Sequence, residues 1–552
     1  MRSMVNLLPA LLGGATLALG AGAPALARDL PAAREPTATP IKHLVVIFDE
    51  NVSFDHYFGT YPRAANPPGE PRFSALPGTP AVNNLLTGRL LTHNPNLNPR
   101  NGSGATNPFR LDRSQAATAD QNHGYTAEQL AYDGGAADLF PLHTGRGTPG
   151  GAGAFGTPGQ VMGYFDGNTV TALWNYAQHF AMSDNAYTDT YGPSTPGALE
   201  VVSGQTDGVR LVASTTHRYY IADGAGGKAL ISDVDPAYDV CSSRANQVRM
   251  LGRNIGELLT AGAVTWGGFM GGFDLARRDA NGTTGCRRST YSSVVGQTVR
   301  DYIAHHNWFQ YFRATANPTH ARPASVRAVG HTWDADGRRD PANHEYGLAD
   351  FYAAVREGNF PAVSFLKATA YQDGHAGYSD PLDEQAWIVK VINFLERQPG
   401  WRSTAVIITW DDSDGWYDHA FATPTNPSYD KSADRLDGPG VCGRGRPLAG
   451  IAGKPVNGRC GPGTRIPFLV ISPYARVNYV SHTRISQASV VRFIEDNWLH
   501  GERLGDGSFD ATAGSIMGMF DFVRRRPAPS LFLAARTGEP LSSAGARRAA
   551  GT

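Results

Sequence analysis

Two apolar runs in this 552-residue chain end in clustered oxygen donors. Ile41–Phe48 (IKHLVVIF) leads into Asp49-Glu50-Asn51, and Ala405–Trp410 (AVIITW) leads into Asp411-Asp412-Ser413-Asp414-Gly415. Short β-branched runs of this kind are buried strands. In open α/β sheets ligands bind just beyond the carboxyl ends of the strands, so both clusters are expected at one edge. Carboxylates packed together repel unless a positive charge lies between them. Asp and Asn after strands also serve as turn residues and helix caps. As a set, however, the Glu, Asn and Asp residues of these two clusters are hard oxygen donors suited to a divalent cation, Ca²⁺, Mg²⁺ or Mn²⁺ rather than Zn²⁺.

A hydroxyl pair stands in a second constrained segment, Tyr191-Gly192-Pro193-Ser194-Thr195-Pro196-Gly197. Gly and Pro on either side force a tight turn, and Ala198–Ser203 can open a helix. A hydroxyl at a helix N-terminus sits where backbone N–H groups and the dipole favour an anion, a good place for a nucleophile, although capping is the ordinary role of Ser and Thr there. His123, His344, His375 and His419 stand beside Gly, Asn or Asp. Each alone reads as a structural hydrogen-bonding group. His375 is the best placed, because it follows Ala362–Leu366 (AVSFL) through a short polar loop and can serve an anion or a leaving group.

The elements that must hold these residues alternate. Strand signals occur at Ile41–Phe48, Ala362–Leu366, Ala405–Trp410 and Pro467–Ile471. Helical spacing occurs at Tyr125–Tyr132, Val170–Phe180, Tyr346–Glu357, Glu384–Arg397 and Ser486–Trp498. This alternation predicts a mostly parallel sheet covered on both faces. Residues 224–292 and 430–463 read as loop-rich insertions, and no linker divides residues 41–535, which are expected to form one catalytic domain. Gly 64 and Pro 37 fit long ordered loops on a scaffold.

Lys+Arg 49 balance Asp+Glu 49, so no field gathers nucleic acid or an anionic membrane. Arg2, the apolar stretch Met4–Gly20 and Ala25-Leu26-Ala27 read as a cleaved export signal over residues 1–27, followed by a flexible leader, 28–40. Secretion or a periplasmic location follows, with no stable membrane insertion. Residues 536–552 are expected to be a disordered tail. The four cysteines, Cys241, Cys286, Cys442 and Cys460, imply two disulfides in an exported chain. Of the three possible pairings, local pairing within each insertion is expected.

Taken together, the motifs resemble the bacterial phosphoesterase family, which holds secreted acid phosphatases and phospholipases C within the alkaline-phosphatase-like superfamily. Glu50-Asn51-Val52-Ser53-Phe54-Asp55-His56-Tyr57-Phe58-Gly59 is similar to its E-N-R-S-F-D-H-Y-F-G signature, with Val52 in place of Arg. The resemblance continues through Ser183-Asp184, Gly192-Pro193-Ser194, Pro361–Phe365, His375, Thr409–His419, Arg465–Phe468 and Phe493-Ile494-Glu495. It implies a three-layer α/β/α sandwich with a mostly parallel central sheet. It also implies Glu50, Asn51, Asp411 and Asp412 as metal ligands and Ser194 as nucleophile, with Thr195 as the fallback. His123 and His375 match histidines that hold phosphoryl oxygens, and His344 is a further candidate. The implied reaction is phosphoester hydrolysis through a phosphoserine.

Phospholipase C members of the family carry Gly-Pro-Thr-x-Pro-Asn-Arg around the nucleophile and Asp-Glu in the second acidic pair. Here the residues are Gly192–Ala198 and Asp411-Asp412. These departures lean toward a phosphomonoester substrate, with a phospholipid head group as the alternative. A sulfatase is disfavoured because Ala198 stands where its Arg is expected. A non-enzymatic binding protein is disfavoured because competent residues fill every site position.

Overall fold

The structure, a computed structural model, describes residues 37–213, 219–523 and 530–542. The apolar run after the leader forms β1 (His43–Asp49). It joins β2 (Ala181–Ser183), β3 (Trp266–Met270), β4 (Glu345–Gly347), β5 (Val363–Lys367), β6 (Thr404–Trp410), β7 (Phe468–Ile471) and β8 (Tyr479–Ser481) in an eight-stranded sheet. The order is β4-β3-β5-β1-β6-β7-β2-β8. Within this sheet β7 alone runs against the other strands.

Side chains of a strand alternate between its two faces. Every residue of β5, β6 and β7, and all of β1 except His43, is nevertheless buried. Only a sheet covered on both sides does this, which is the three-layer α/β/α arrangement. The main helices are α1 (Phe54–Phe58), α2 (Tyr125–Tyr132), α3 (Thr171–His179), α4 (Ser194–Ser203), α5 (Ile255–Ala261), α6 (Leu348–Arg356), α7 (Pro381–Leu395) and α8 (Ala488–Trp498), and all but α2, which lies in a separate apolar cluster, pack into the core around the sheet. They pack in groups, α3 with α7, and α4 with α5 and α8. α7 begins earlier than its apolar periodicity indicates. Asp380 caps the Leu382 and Asp383 N–H groups, and Pro381 stands in the first turn, where its missing N–H costs nothing.

Three expectations need correction. The stretch 224–292 is more than an insertion, because it contributes β3 to the main sheet. Its sequence, WGGFM, shows no strand pattern because neighbouring side chains crowd it: a Cβ on Gly268 would fall 2.2 Å from Glu345 Oε1. The second, 430–463, does lack helix or strand, in keeping with the gap between β6 and β7. The tail is ordered further than residue 536. Asn175 Nδ2 donates to the Gly538 carbonyl (2.9 Å), and Leu541 N–H donates to that of Phe532 (2.8 Å). At the other end, residues 38–39 of the leader are fixed on Asn497 at the end of α8. The export signal, 1–27, lies outside the described residues. Disulfides join Cys241 to Cys286 and Cys442 to Cys460, the local pairing.

Candidate active site

β1 and β6 are parallel neighbours with Asp49 in register with Trp410. Glu50 and Asp411 therefore leave the sheet side by side at its carboxyl edge. Asn51 turns the chain with φ 62°, and its N–H donates to Asp411 Oδ1 (2.9 Å). The same oxygen accepts from Asp412 N–H (2.8 Å), and Val52 N–H donates to the Asp412 carbonyl (2.9 Å). Each acidic segment is thus aimed by the backbone of the other.

α4 supplies the hydroxyl. Ser194 is its first residue, and Gly197 lies so close to the end of β6 that a Cβ there would fall 2.1 Å from the Asp411 carbonyl oxygen. That contact seats the helix N-terminus on the acid cluster. Ser194 Oγ is 2.9 Å from Glu50 Oε2, 3.2 Å from Asp412 Oδ2 and 3.3 Å from the Asn51 amide. Thr195 faces elsewhere: its N–H donates to Asp233 (2.9 Å), and its Oγ1 lies 3.4 Å from the Tyr311 hydroxyl and the His305 carbonyl. Glu128 of α2 braces the turn, accepting from Gly192 N–H (3.0 Å) and from the Ser413 hydroxyl (2.5 Å).

Two of the singled-out histidines join this centre. His123 Nδ1 is 3.0 Å from both Asp414 Oδ1 and the Gln121 carbonyl, and its Nε2 is 3.4 Å from the Asn51 amide. His375 Nδ1 is held by the Ala376 carbonyl (2.5 Å), with Nε2 3.1 Å from the Asn51 amide oxygen once that amide is oriented to suit its neighbours. Both rings therefore turn Nε2 toward the Asn51 amide. Burial opposes the His123 imidazolium, but Asp412 and Asp414 outweigh it and hold its pKa well above the usual value. For His375 burial prevails over Glu50, and the pKa is lowered.

His344 is not brought here. It precedes the edge strand β4, at the opposite end of the sheet, where it stacks on Trp266 with ring centroids 4.4 Å apart and bonds the Trp266 carbonyl (2.9 Å). Burial lowers its pKa to about 4. His419 binds Asp55 (2.6 Å), in a buried network where Arg465 reaches Asp55 (3.2 Å) and Asp418 (3.1 Å). That network ties three of the sequence motifs together mechanically.

The structure adds residues not singled out for the site. His306 Nδ1 lies 3.0 Å from Glu50 Oε1, and Lys367 Nζ contacts the same oxygen. Asp414 and Asp373 orient His123 and the His375 backbone. Lys367 had a signal, a lone charge continuing the apolar run AVSFL. His306, in Ala304-His305-His306, follows none of the strand signals of the sequence and had none.

The cluster fits a divalent cation. Glu50, Asn51, Asp411, Asp412 and Ser194 are all buried, yet Asp411 Oδ2 has no hydrogen-bond partner. Burial and the neighbouring Glu50 charge raise the Asp411 pKa to about 7, and burial with Asp411 raises that of Asp412 well above normal. Carboxylates this destabilised as anions are what a bound cation would relieve.

The family model described as the Phosphoesterase family matches residues 41–499. The non-hemolytic phospholipase C of Burkholderia pseudomallei is 26% identical over 493 residues, covering 86% of this chain and 59% of the relative. Phospholipase C A of Mycobacterium tuberculosis is 24% identical, covering 79% of this chain and 69% of its own. This chain thus spans little more than half of the Burkholderia protein. Among solved structures, a mutant alkaline phosphatase is similar at 10% identity over 63% of this chain and 93% of its own, with a TM-score of 0.29. With a family match over most of its length and the family's signature residues meeting at one sheet edge, this chain belongs to the Phosphoesterase family.

Proposed function

We propose that the protein is a secreted or periplasmic, metal-assisted phosphoester hydrolase that works through a phosphoserine on Ser194. The observation that carries this reading is the convergence of Glu50, Asn51 and Asp412 on Ser194 Oγ within 2.9–3.3 Å. Glu50, Asn51, Asp411 and Asp412 would hold a divalent cation, which when bound polarises a phosphoryl oxygen and favours the serine alkoxide. The chain's own groups do the rest. Ser194 Oγ, its proton passed to water, attacks phosphorus in line, and the ester oxygen leaves as the P–O bond breaks. In acid, where His375 is protonated despite its lowered pKa, it gives the leaving alcohol its proton, and His123 binds a phosphoryl oxygen. Water then attacks the phosphoserine, and inorganic phosphate and free Ser194 result.

The favoured substrate is a phosphomonoester, as in an acid phosphatase. Ser194, Gly197-Ala198 and Asp411-Asp412 depart from the phospholipase C pattern and support this choice. The phospholipase C names of the relatives support the second reading, cleavage of a phospholipid head-group diester. Turnover of p-nitrophenyl phosphate and p-nitrophenylphosphorylcholine across pH, with and without chelator, separates them. Preference for the monoester at acid pH is expected. Preference for the choline diester would establish the second reading, and chelator-resistant activity or none would overturn the first.

A further inference from the structure

One buried cation has no role in the reaction above. Lys367 closes β5 and is 1% exposed. Its Nζ contacts Glu50 Oε1, donates to the Phe48 carbonyl (3.3 Å) and lies 5.4 Å from the Phe48 ring centroid. Burial disfavours the ammonium, but Glu50, Asp411 and Asp373 surround it and hold its pKa above the ordinary lysine value. A buried charge is tolerated only where it is paired, and here the pairing is directional. The two oxygens of Glu50 have different neighbours: Oε1 meets Lys367 and His306 Nδ1 (3.0 Å), whereas Oε2 meets Ser194 Oγ (2.9 Å).

We propose that Lys367 is a positioning residue: its ammonium occupies Glu50 Oε1, so that Glu50 presents Oε2 alone to the cation and to Ser194. The proposal rests on the reading of the cluster as a cation site. Without the ammonium, His306 alone faces Glu50 Oε1, so Glu50 is held less firmly in that orientation and the cluster loses its nearest ammonium charge. The unliganded protein then suffers most, because the bound cation relieves the repulsion among its carboxylates.

The test compares the full-length wild type with Lys367→Met, Glu50→Gln and the double variant, using Mn²⁺ as the probe metal. Bound metal, the melting temperature with and without chelator, and turnover of p-nitrophenyl phosphate are measured. Lys367→Met is expected to keep its metal, to show a chelator-induced fall in melting temperature about twice that of the wild type, and to lose about tenfold in kcat with KM little changed. In the double variant the chelator-induced fall is expected to match that of Glu50→Gln, since the lysine acts through Glu50. Equal destabilisation of Lys367→Met with and without chelator would mark a merely structural lysine and overturn the proposal. Should Lys367→Met fail to fold, the double variant, which removes both charges of the pair, decides: a chelator response different from that of Glu50→Gln overturns it. A wild type that binds no Mn²⁺ and ignores chelator would instead remove the cation site itself, and the proposal with it.

Discussion

At the scale of single residues, the site separates two adjacent hydroxyls by orientation. Ser194 Oγ points into the acid cluster, and Thr195 Oγ1 points to Tyr311 and His305. Ser194→Ala is therefore expected to cut turnover by about 10³-fold or more while leaving the fold within about 1 kcal/mol of the wild type. Thr195→Ala should show the converse, a stability loss of about 1 kcal/mol with turnover largely kept. Parallel thermal melts and steady-state assays distinguish the two. Much of this centre is legible in the chain, because strand-terminal acids and a Gly/Pro-bounded hydroxyl are local patterns. His306 and Glu128 are not. They reach Glu50 and Gly192 from a 3₁₀ turn and a helix far away in sequence, and no local pattern records a long-range contact. His344 shows the opposite error: a polar setting in the sequence, Asn343-His344-Glu345, becomes a ring stacked on Trp266.

At the scale of elements, the approach of α4 to β6 decides whether the hydroxyl meets the acids. Gly197 permits that approach. Gly197→Ala places a Cβ against the Asp411 carbonyl, so the helix must shift. A loss of about 2 kcal/mol is expected, together with a fall in kcat, because Ser194 moves with the helix. Wild-type turnover in this variant would show that the contact does not seat Ser194. The insertion bearing Cys442 and Cys460 supports the same segment, since Tyr191 N–H donates to the Cys460 carbonyl (3.0 Å). The central strands β1, β5, β6 and β7 are legible because strands buried on both faces are continuous apolar runs. β3 is not, because two of its five residues are glycines admitted for close packing. β2 and β8 span three residues each, too short for any periodicity to register.

At the scale of the whole molecule, the interior holds many acids whose ionised form is disfavoured. Burial raises Asp189 to about 6, Glu396 to about 7 and Glu495 to about 9. A carboxyl with a raised folded-state pKa contributes stability that is fully present below its unfolded value, near 4, and that is lost as pH rises through the folded value. The melting temperature, with metal saturating, is thus expected to fall as pH rises from about 5.5 to about 8.5. Glu396→Gln should flatten that slope, by no more than about 3 kcal/mol. Asp55 works the other way. Burial opposes its ionisation, but His419 and Arg465 hold its pKa below normal, so its contribution is lost only in strong acid. A stability that instead rises through neutral pH would contradict this picture of the interior. Glu396 also receives the Leu531 N–H, and Leu533 is fully buried, so truncation after residue 529 should cost about 3 kcal/mol of stability.

The most direct test of the account is to trap the intermediate. The wild-type protein, mixed with a phosphomonoester and quenched in acid within the first turnovers, should carry one phosphoryl group on the peptide containing Ser194. Fragmentation should place it on that residue, and Ser194→Ala should carry none. Phosphate found on Thr195, or on no residue while turnover proceeds, would contradict the assignment of Ser194 as the nucleophile.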